Sequence, residues 1–274
     1  MPFTPQPLLE VRGLCKTYNP ARFWWQRQFP VPALQDVSLK LTSGSTLALV
    51  GESGSGKTTL AMCLVGLEQP DAGEIRFEGR SRRNLRRKER IAARSDIQLI
   101  FQDSAGALSP RMSAAEIVAE PLLIRGHHSS KEREDQVFET MEQVGFSPLW
   151  KDRRPTQLSG GQRQRLAIAR ALVLKPKLLI LDEALSGLDL SIQGQITNLL
   201  LDLQMSTRLS YLFISHNLEI VARIAGEIAV IHEGKVVEQG RPSELLAKSQ
   251  HTQPQTLWPP RLAGKLAFSA TTGA

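Results

Sequence analysis

Residues 47–59, LALVGESGSGKTT, carry an apolar run into a glycine-rich turn that holds one lysine and two threonines. Leu47 to Val50 predicts a short buried strand, and Thr59 to Leu67 predicts the helix that follows it. Between them Gly51, Glu52, Ser53, Gly54, Ser55, Gly56, Lys57 and Thr58 match the phosphate-binding spacing G-x-x-x-x-G-K-[ST]. Glycines let the backbone curl with its N–H groups turned inward, and the helix start adds the positive end of its dipole. Lys57 is then expected to reach the outer phosphates, with Thr58 offering its hydroxyl to Mg²⁺ and Thr59 beside it at the helix start.

Bulk properties place few other limits. A chain of 274 residues with 41% hydrophobic and 22% charged content can bury a full globular core. No apolar run approaches the ~20 residues that span a bilayer, and no signal peptide opens the sequence, so a cytosolic or peripheral protein is expected. Cys15 and Cys63 fit neither a metal spacing nor a disulfide framework and read as small core residues. The formal net charge of +7 makes an acidic partner, a nucleic acid or an anionic membrane surface conceivable. Much of the excess lies in Arg80 to Arg94, RSRRNLRRKERIAAR. No aromatic interrupts that run to stack a base, so it reads as a solvated helix face near lipid headgroups rather than a nucleic-acid patch.

Outward from the glycine-rich turn, residues 8–14 and 36–41 alternate as strands, and 74–78 does so again. Together they predict a small antiparallel lobe. The segment between the first two, CKTYNPARFWWQRQFPVPALQ, reads as an extended excursion. Tyr18 within it is the candidate to stack on an adenine ring, packing of an irregular loop being the other reading. Ile97 to Phe101 is a second buried strand and ends in Gln102-Asp103. Residues 104–157 carry helix punctuation instead: Ser113 with Glu116, and Ser129 with Glu132, are capping-box pairs, Pro121 interrupts the first apolar run, and Gly145 stops the second.

Leu158-Ser-Gly-Gly-Gln162 opens another helix, with Ser159 as cap and Gly160 and Gly161 leaving N–H groups uncovered, a second phosphate-binding end in one chain. Residues 177–181 form a strand that closes on Asp182 and Glu183. Adjacent carboxylates after a buried strand are costly unless a cation or a mechanism uses them. Asp182 is the candidate to hold Mg²⁺ through water, and Glu183 to orient or deprotonate a water. Asp189 precedes a helix, and the strand YLFIS delivers His216. Four predicted strands thus end in polar groups, the edge at which open α/β sheets bind ligands.

Together these segments resemble the ATP-binding subunit of ABC transporters over roughly residues 8–247. GESGSGKT resembles its Walker A, Gln102 its Q-loop glutamine, LSGGQ its signature, LLILDE its Walker B, SGLD its D-loop and His216 its switch histidine. The resemblance implies an α/β P-loop NTPase, RecA-like, with a parallel core, an antiparallel β lobe and a helical insertion. It divides the chain at 8–103 (β lobe and first part of the core), 104–164 (helical insertion ending in the signature), 165–247 (remaining core) and 248–274, a flexible tail. It implies ATP and Mg²⁺ as cofactors. Two ATPase subunits would pair head to tail, ATP on the Walker A of one lying against Ser159, Gly160, Gly161 and Gln162 of the other. Glu183 would be the base, His216 would contact the γ-phosphate, Gln102 would sense Mg²⁺ and the nucleophile, and Asp189 would bridge the sites.

The stretch IQLIFQDSAGALSPRMSAAEIVAEPL is similar to importers of oligopeptides, dipeptides and nickel or metal chelates. That implies two membrane-spanning permease subunits, an extracytoplasmic substrate-binding protein and a place on the cytoplasmic face of a bacterial plasma membrane. The competing expectation is a soluble ABC-type ATPase serving nucleic acid or a metabolic complex. Three departures stand out: Ala184-Leu185 after Glu183, Gly187 in place of a common alanine, and HTQPQTL at 251–257 as a worn form of the peptide-importer tail.

Overall fold

The computed structural model describes residues 6–19, 29–83, 85–103, 106–126 and 129–248. Phe23, Trp24, Trp25 and the tail after residue 248 lie outside them. The chain forms two compact units, one from residues 1–91 and 210–274, the other from 92–209.

In the first unit β1 (Leu9–Tyr18), β2 (Val31–Leu41), β4 (Ala72–Phe77) and β5 (Arg80–Ser81) form an antiparallel sheet in the order β2-β1-β4-β5. The expected excursion after residue 14 is smaller than predicted. Strand β1 continues to Tyr18 and β2 begins at Val31, pairing Lys16 with Leu34, Thr17 with Pro32 and Tyr18 with Val31. The apolar alternation breaks because the ladder is bulged there. Gly13 (φ 58°) and Asp36 (φ 55°) both take left-handed conformations, and Ser38 Oγ accepts from Gly13 N at 2.9 Å.

The same unit holds β3 (Thr46–Val50), flanked in parallel by β8 (Ser210–Ile214) and β9 (Glu227–His232), with β10 (Lys235–Gly240) antiparallel to β9. Every residue of β3 and β8 is buried, as continuous apolar runs in a parallel sheet require. Helix α1 (Lys57–Val65) follows β3. It starts two residues before the predicted Thr59 because Gly56, at φ 104°, turns the chain directly into it, and Gly66 ends it in the left-handed region. The turn Glu233-Gly234, both at positive φ, closes the β9–β10 hairpin.

Helix α2 (Arg87–Asp96) leads into the second unit, where β6 (Ile97–Ile100) pairs in parallel with β7 (Leu178–Asp182). Four helices accompany them: α3 (Ala114–Arg125), α4 (Ser130–Gln143), α5 (Gly160–Leu172) and α6 (Leu190–Thr207). Both predicted capping boxes are present, Ser113 with Glu116 and Ser129 with Glu132. Pro121 does not interrupt α3, which runs four residues past it; the capped start and the apolar face of Ile117, Val118 and Leu122 outweigh one lost backbone bond. Helix α3 packs on α5 and α4. Polar ties fix them, with Arg170 bridging Glu120 at 2.7 Å and Gln136 donating to the Val173 carbonyl at 2.6 Å. Of two short helices, α8 (Pro242–Lys248) matches the helix that the sequence predicts over 242–247, while α7 (Leu218–Ile224) escaped the sequence reading because it is too short to show a period.

Candidate nucleotide-binding site

In the first unit the turn after β3 is built around a buried cation. Lys57 is only 6% exposed, and its ammonium donates to the carbonyls of Gly51 (2.9 Å) and Glu52 (2.6 Å) and to Ser55 Oγ (3.4 Å). A buried ammonium has to be compensated by oxygens, and here the loop itself encircles it. The β9–β10 turn braces this loop, Gly234 N donating to Ser55 O at 3.0 Å. A Cβ at Gly51 would collide with the Ile231 carbonyl, and one at Gly56 with the Ala33 carbonyl. Both glycines are therefore required by close backbone approach, and Gly54 by its φ of 79°. Thr58 is exposed at the start of α1 and Thr59 half-buried beside it, while Ser53 lies exposed on the loop.

Because β3 and β8 are parallel, with Thr46 beside Tyr211 and Leu49 beside Ile214, the glycine-rich turn and Ser215-His216 leave the sheet at the same edge. Asn217 fixes the second exit: its Oδ1 accepts from Glu219 N (3.0 Å) and Ile220 N (3.4 Å), and its own N–H donates to Ser215 Oγ. His216 is exposed at that edge. Tyr18, at the end of β1, has its ring 5.4 Å from the Lys16 ammonium. Burial alone would depress that ammonium, but Glu68 and Asp71 together hold it above the ordinary lysine value. The nearby Cys63 thiol is pushed up to about 11 by burial, which keeps it unreactive, as the core reading expected.

The second unit gathers the other candidates. Strands β6 and β7 are parallel, Ile97 beside Leu178 and Ile100 beside Leu181, so Gln102 and Asp182-Glu183 emerge at one edge. Asp182 is 4% exposed, a carboxylate delivered by a fully buried strand. Glu183 follows in the left-handed region at φ 49°, which a non-glycine residue adopts at a cost of about 1–2 kcal/mol. Ser186 stabilises this bend, its N–H (3.0 Å) and its hydroxyl (2.7 Å) both donating to Glu183 O.

Ser159 caps α5 through a reciprocal box, accepting from Gln162 N at 3.3 Å while Gln162 Oε1 accepts from Ser159 N at 2.9 Å. The first-turn N–H groups of Gly160 and Gly161 have no intrahelical acceptor and point out of a helix start, an anion-binding arrangement. Gly161 has a second reason to be glycine: a Cβ there would lie 3.0 Å from Ile192 Cγ2 of α6. Asp189 occupies the N-cap position of α6 without making a cap bond and is exposed, beside the 76% exposed Leu190. A cavity of about 480 Å³ joins these parts, lined among others by Gln102, Asp103, Gly160, Gln164, Ser186 and Leu188. Gln164 is one of the lining residues that sequence reasoning missed. It repeats inside an arginine-rich helix, and nothing in its spacing tells a buried amide from a solvated one.

A family model described as ABC transporter matches residues 34–186. The chain belongs to the ABC transporter family. A probable peptide ABC transporter ATP-binding protein of Sinorhizobium fredii is 43% identical over 251 residues, covering 91% of this chain and 71% of that protein. The dipeptide transport ATP-binding protein of Escherichia coli is 40% identical over 252 residues, covering 92% and 75%. Among solved structures, a dimeric ATP-binding cassette in a post-hydrolysis state bound to ADP and Pi superposes with a TM-score of 0.73 at 28% identity, covering 85% of this chain and 98% of that one. The structure of cbiO1 from Clostridium perfringens, part of the ABC transporter complex cbiONQ, gives 0.75 at 28% identity, covering 95% and 99%. The chain is thus an ABC ATPase with the P-loop NTPase fold, and it binds and hydrolyses ATP. These similarities favour the transport ATPase over the soluble, nucleic-acid-associated alternative. Among the described residues no helix is long and apolar enough to cross a membrane.

Proposed function

We propose that this ABC ATPase powers the import of small peptides, with a metal chelate as the second substrate class. The observation that carries the substrate class is identity of 40% or more to peptide-transport ATP-binding proteins over more than nine-tenths of the chain. Lys57 and the N–H groups of the glycine-rich loop receive the β- and γ-phosphates, and Thr58 and Asp182, with Gln102, hold Mg²⁺. Each donor suits that ion in kind: the Thr58 hydroxyl at its helix start and the buried Asp182 carboxylate are hard oxygens. When bound, Mg²⁺ neutralises charge developing on the phosphates. Glu183 accepts the proton of the attacking water, His216 holds the γ-phosphate, and Tyr18 stacks on the adenine.

Two helix starts able to take phosphate, one in each unit, suit a head-to-tail pair of ATPase subunits. Ser159, Gly160, Gly161 and Gln162 of one would face the nucleotide of the other, and the uncommitted carboxylate of Asp189 would reach across. The second subunit is a related or an identical chain, and the pair sits under two membrane-spanning permease subunits at the cytoplasmic face of the plasma membrane, served by an extracytoplasmic binding protein. Tagged Glu183→Gln protein captured from detergent-solubilised membranes with ATP should bring down two membrane-spanning proteins and a second ATPase. Capture of soluble proteins or nucleic acid alone would overturn this reading.

A further inference from the structure

Helix α5 pairs nearly all of its polar side chains. Arg163 donates to the Leu158 carbonyl at 2.9 Å, Arg165 to the Val144 carbonyl at 2.6 Å, and Arg170 bridges Glu120. Gln164 is the exception. It is 2% exposed, and its amide nitrogen is buried without a hydrogen-bond partner. A buried, unmet donor on a rigid helix is costly and calls for an acceptor. The cavity it lines also contains Gln102 and the 184–188 segment. Within that segment the carbonyls of Leu185 and Leu188 already accept from Gln193 at 3.1 and 3.0 Å. Gln102, by contrast, is exposed, and the bonds that hold its turn converge on Asp103, whose carbonyl accepts from Gly106 N and Ala107 N.

We infer that Gln164 is a positioning residue for ATP hydrolysis: its buried carboxamide takes the main-chain carbonyl of Gln102 as acceptor in the nucleotide-bound state and so aims the Gln102 side chain. The inference rests on the assignment of Gln102 to the nucleotide site. Without that acceptor the buried amide is costly, so the bond ties the Gln102 turn to the start of the signature helix.

The test compares Gln164→Met, of similar length and without a donor, Gln164→Glu, Gln102→Ala and the Gln164→Met/Gln102→Ala double variant. Each is measured in the detergent-purified transporter for kcat and KM, and for melting temperature with and without a non-hydrolysable ATP analogue. Gln164→Met should melt no lower than wild type without nucleotide, gain less from the analogue, and lose about tenfold or more in kcat with KM little changed. Gln164→Glu should lose the same activity, and the double variant should be no slower than Gln102→Ala. A lower melting point of Gln164→Met without nucleotide, wild-type kcat, or multiplicative losses in the double variant would overturn the inference. Wild-type turnover by Gln102→Ala would instead remove Gln102 from the site, a failure distinguishable from that of Gln164.

Discussion

Gly56 and Glu183 are both held in left-handed backbone, for opposite reasons. At Gly56 the conformation is cheap, and the Ala33 carbonyl leaves no room for a side chain. Gly56→Ala should therefore lower stability by about 1–3 kcal/mol and abolish ATP binding, checked by urea unfolding and nucleotide titration. At Glu183 the conformation is strained and kept for its carboxylate. Asparagine tolerates that region better, so Glu183→Asn should keep or raise the melting temperature while hydrolysis collapses. A parallel loss of both would mean that Glu183 serves the fold. The glycine-rich loop was legible because its chemistry is local: eight consecutive residues carry the whole device. Gln164 was not legible, because burial and an unmet donor depend on what α5 packs against.

At the scale of elements, capping chemistry was readable and bulges were not. Ser113 and Glu116 announce the start of α3 three residues apart, and the box forms as the pattern requires. Gly13 and Asp36 lie on different strands, and their joint bulge, which carries β1 to Tyr18 and starts β2 at Val31, exists only once the strands pair. The Ser113 N–H bonded to Glu116 holds that carboxyl below the ordinary carboxylate range. A depressed folded value contributes stability that is present above the unfolded value and is lost as pH falls through the folded one. Glu116→Gln should thus destabilise the protein at pH 7, and the difference from wild type should vanish as pH drops below the carboxylate range, followed by urea midpoints. Ser113→Ala should cost about 1 kcal/mol at neutral pH. Between α5 and α6, Gly161→Ala should cost about 1–3 kcal/mol by pressing on Ile192 Cγ2, and Ile192→Ala, which removes that carbon, should make the added cost of Gly161→Ala smaller.

For the whole molecule, the fold class was legible because three strands lead directly into recognisable polar turns, at Val50, Leu181 and Ser215, and the structure delivers each at the end of its strand. The net charge of +7 is too diffuse a feature to decide a partner. Permease contacts rather than lipid should hold the protein at the membrane, so lipid vesicles without permease should release it at physiological salt. The peptide class rests on overall similarity rather than on a site. The central claim is that Glu183 activates the water that cleaves ATP. Single-turnover hydrolysis by the Glu183→Gln transporter, with ATP binding measured alongside, tests it most directly. The account predicts ATP bound as in wild type and cleaved about 10²–10⁴-fold more slowly. Cleavage at the wild-type rate would contradict it.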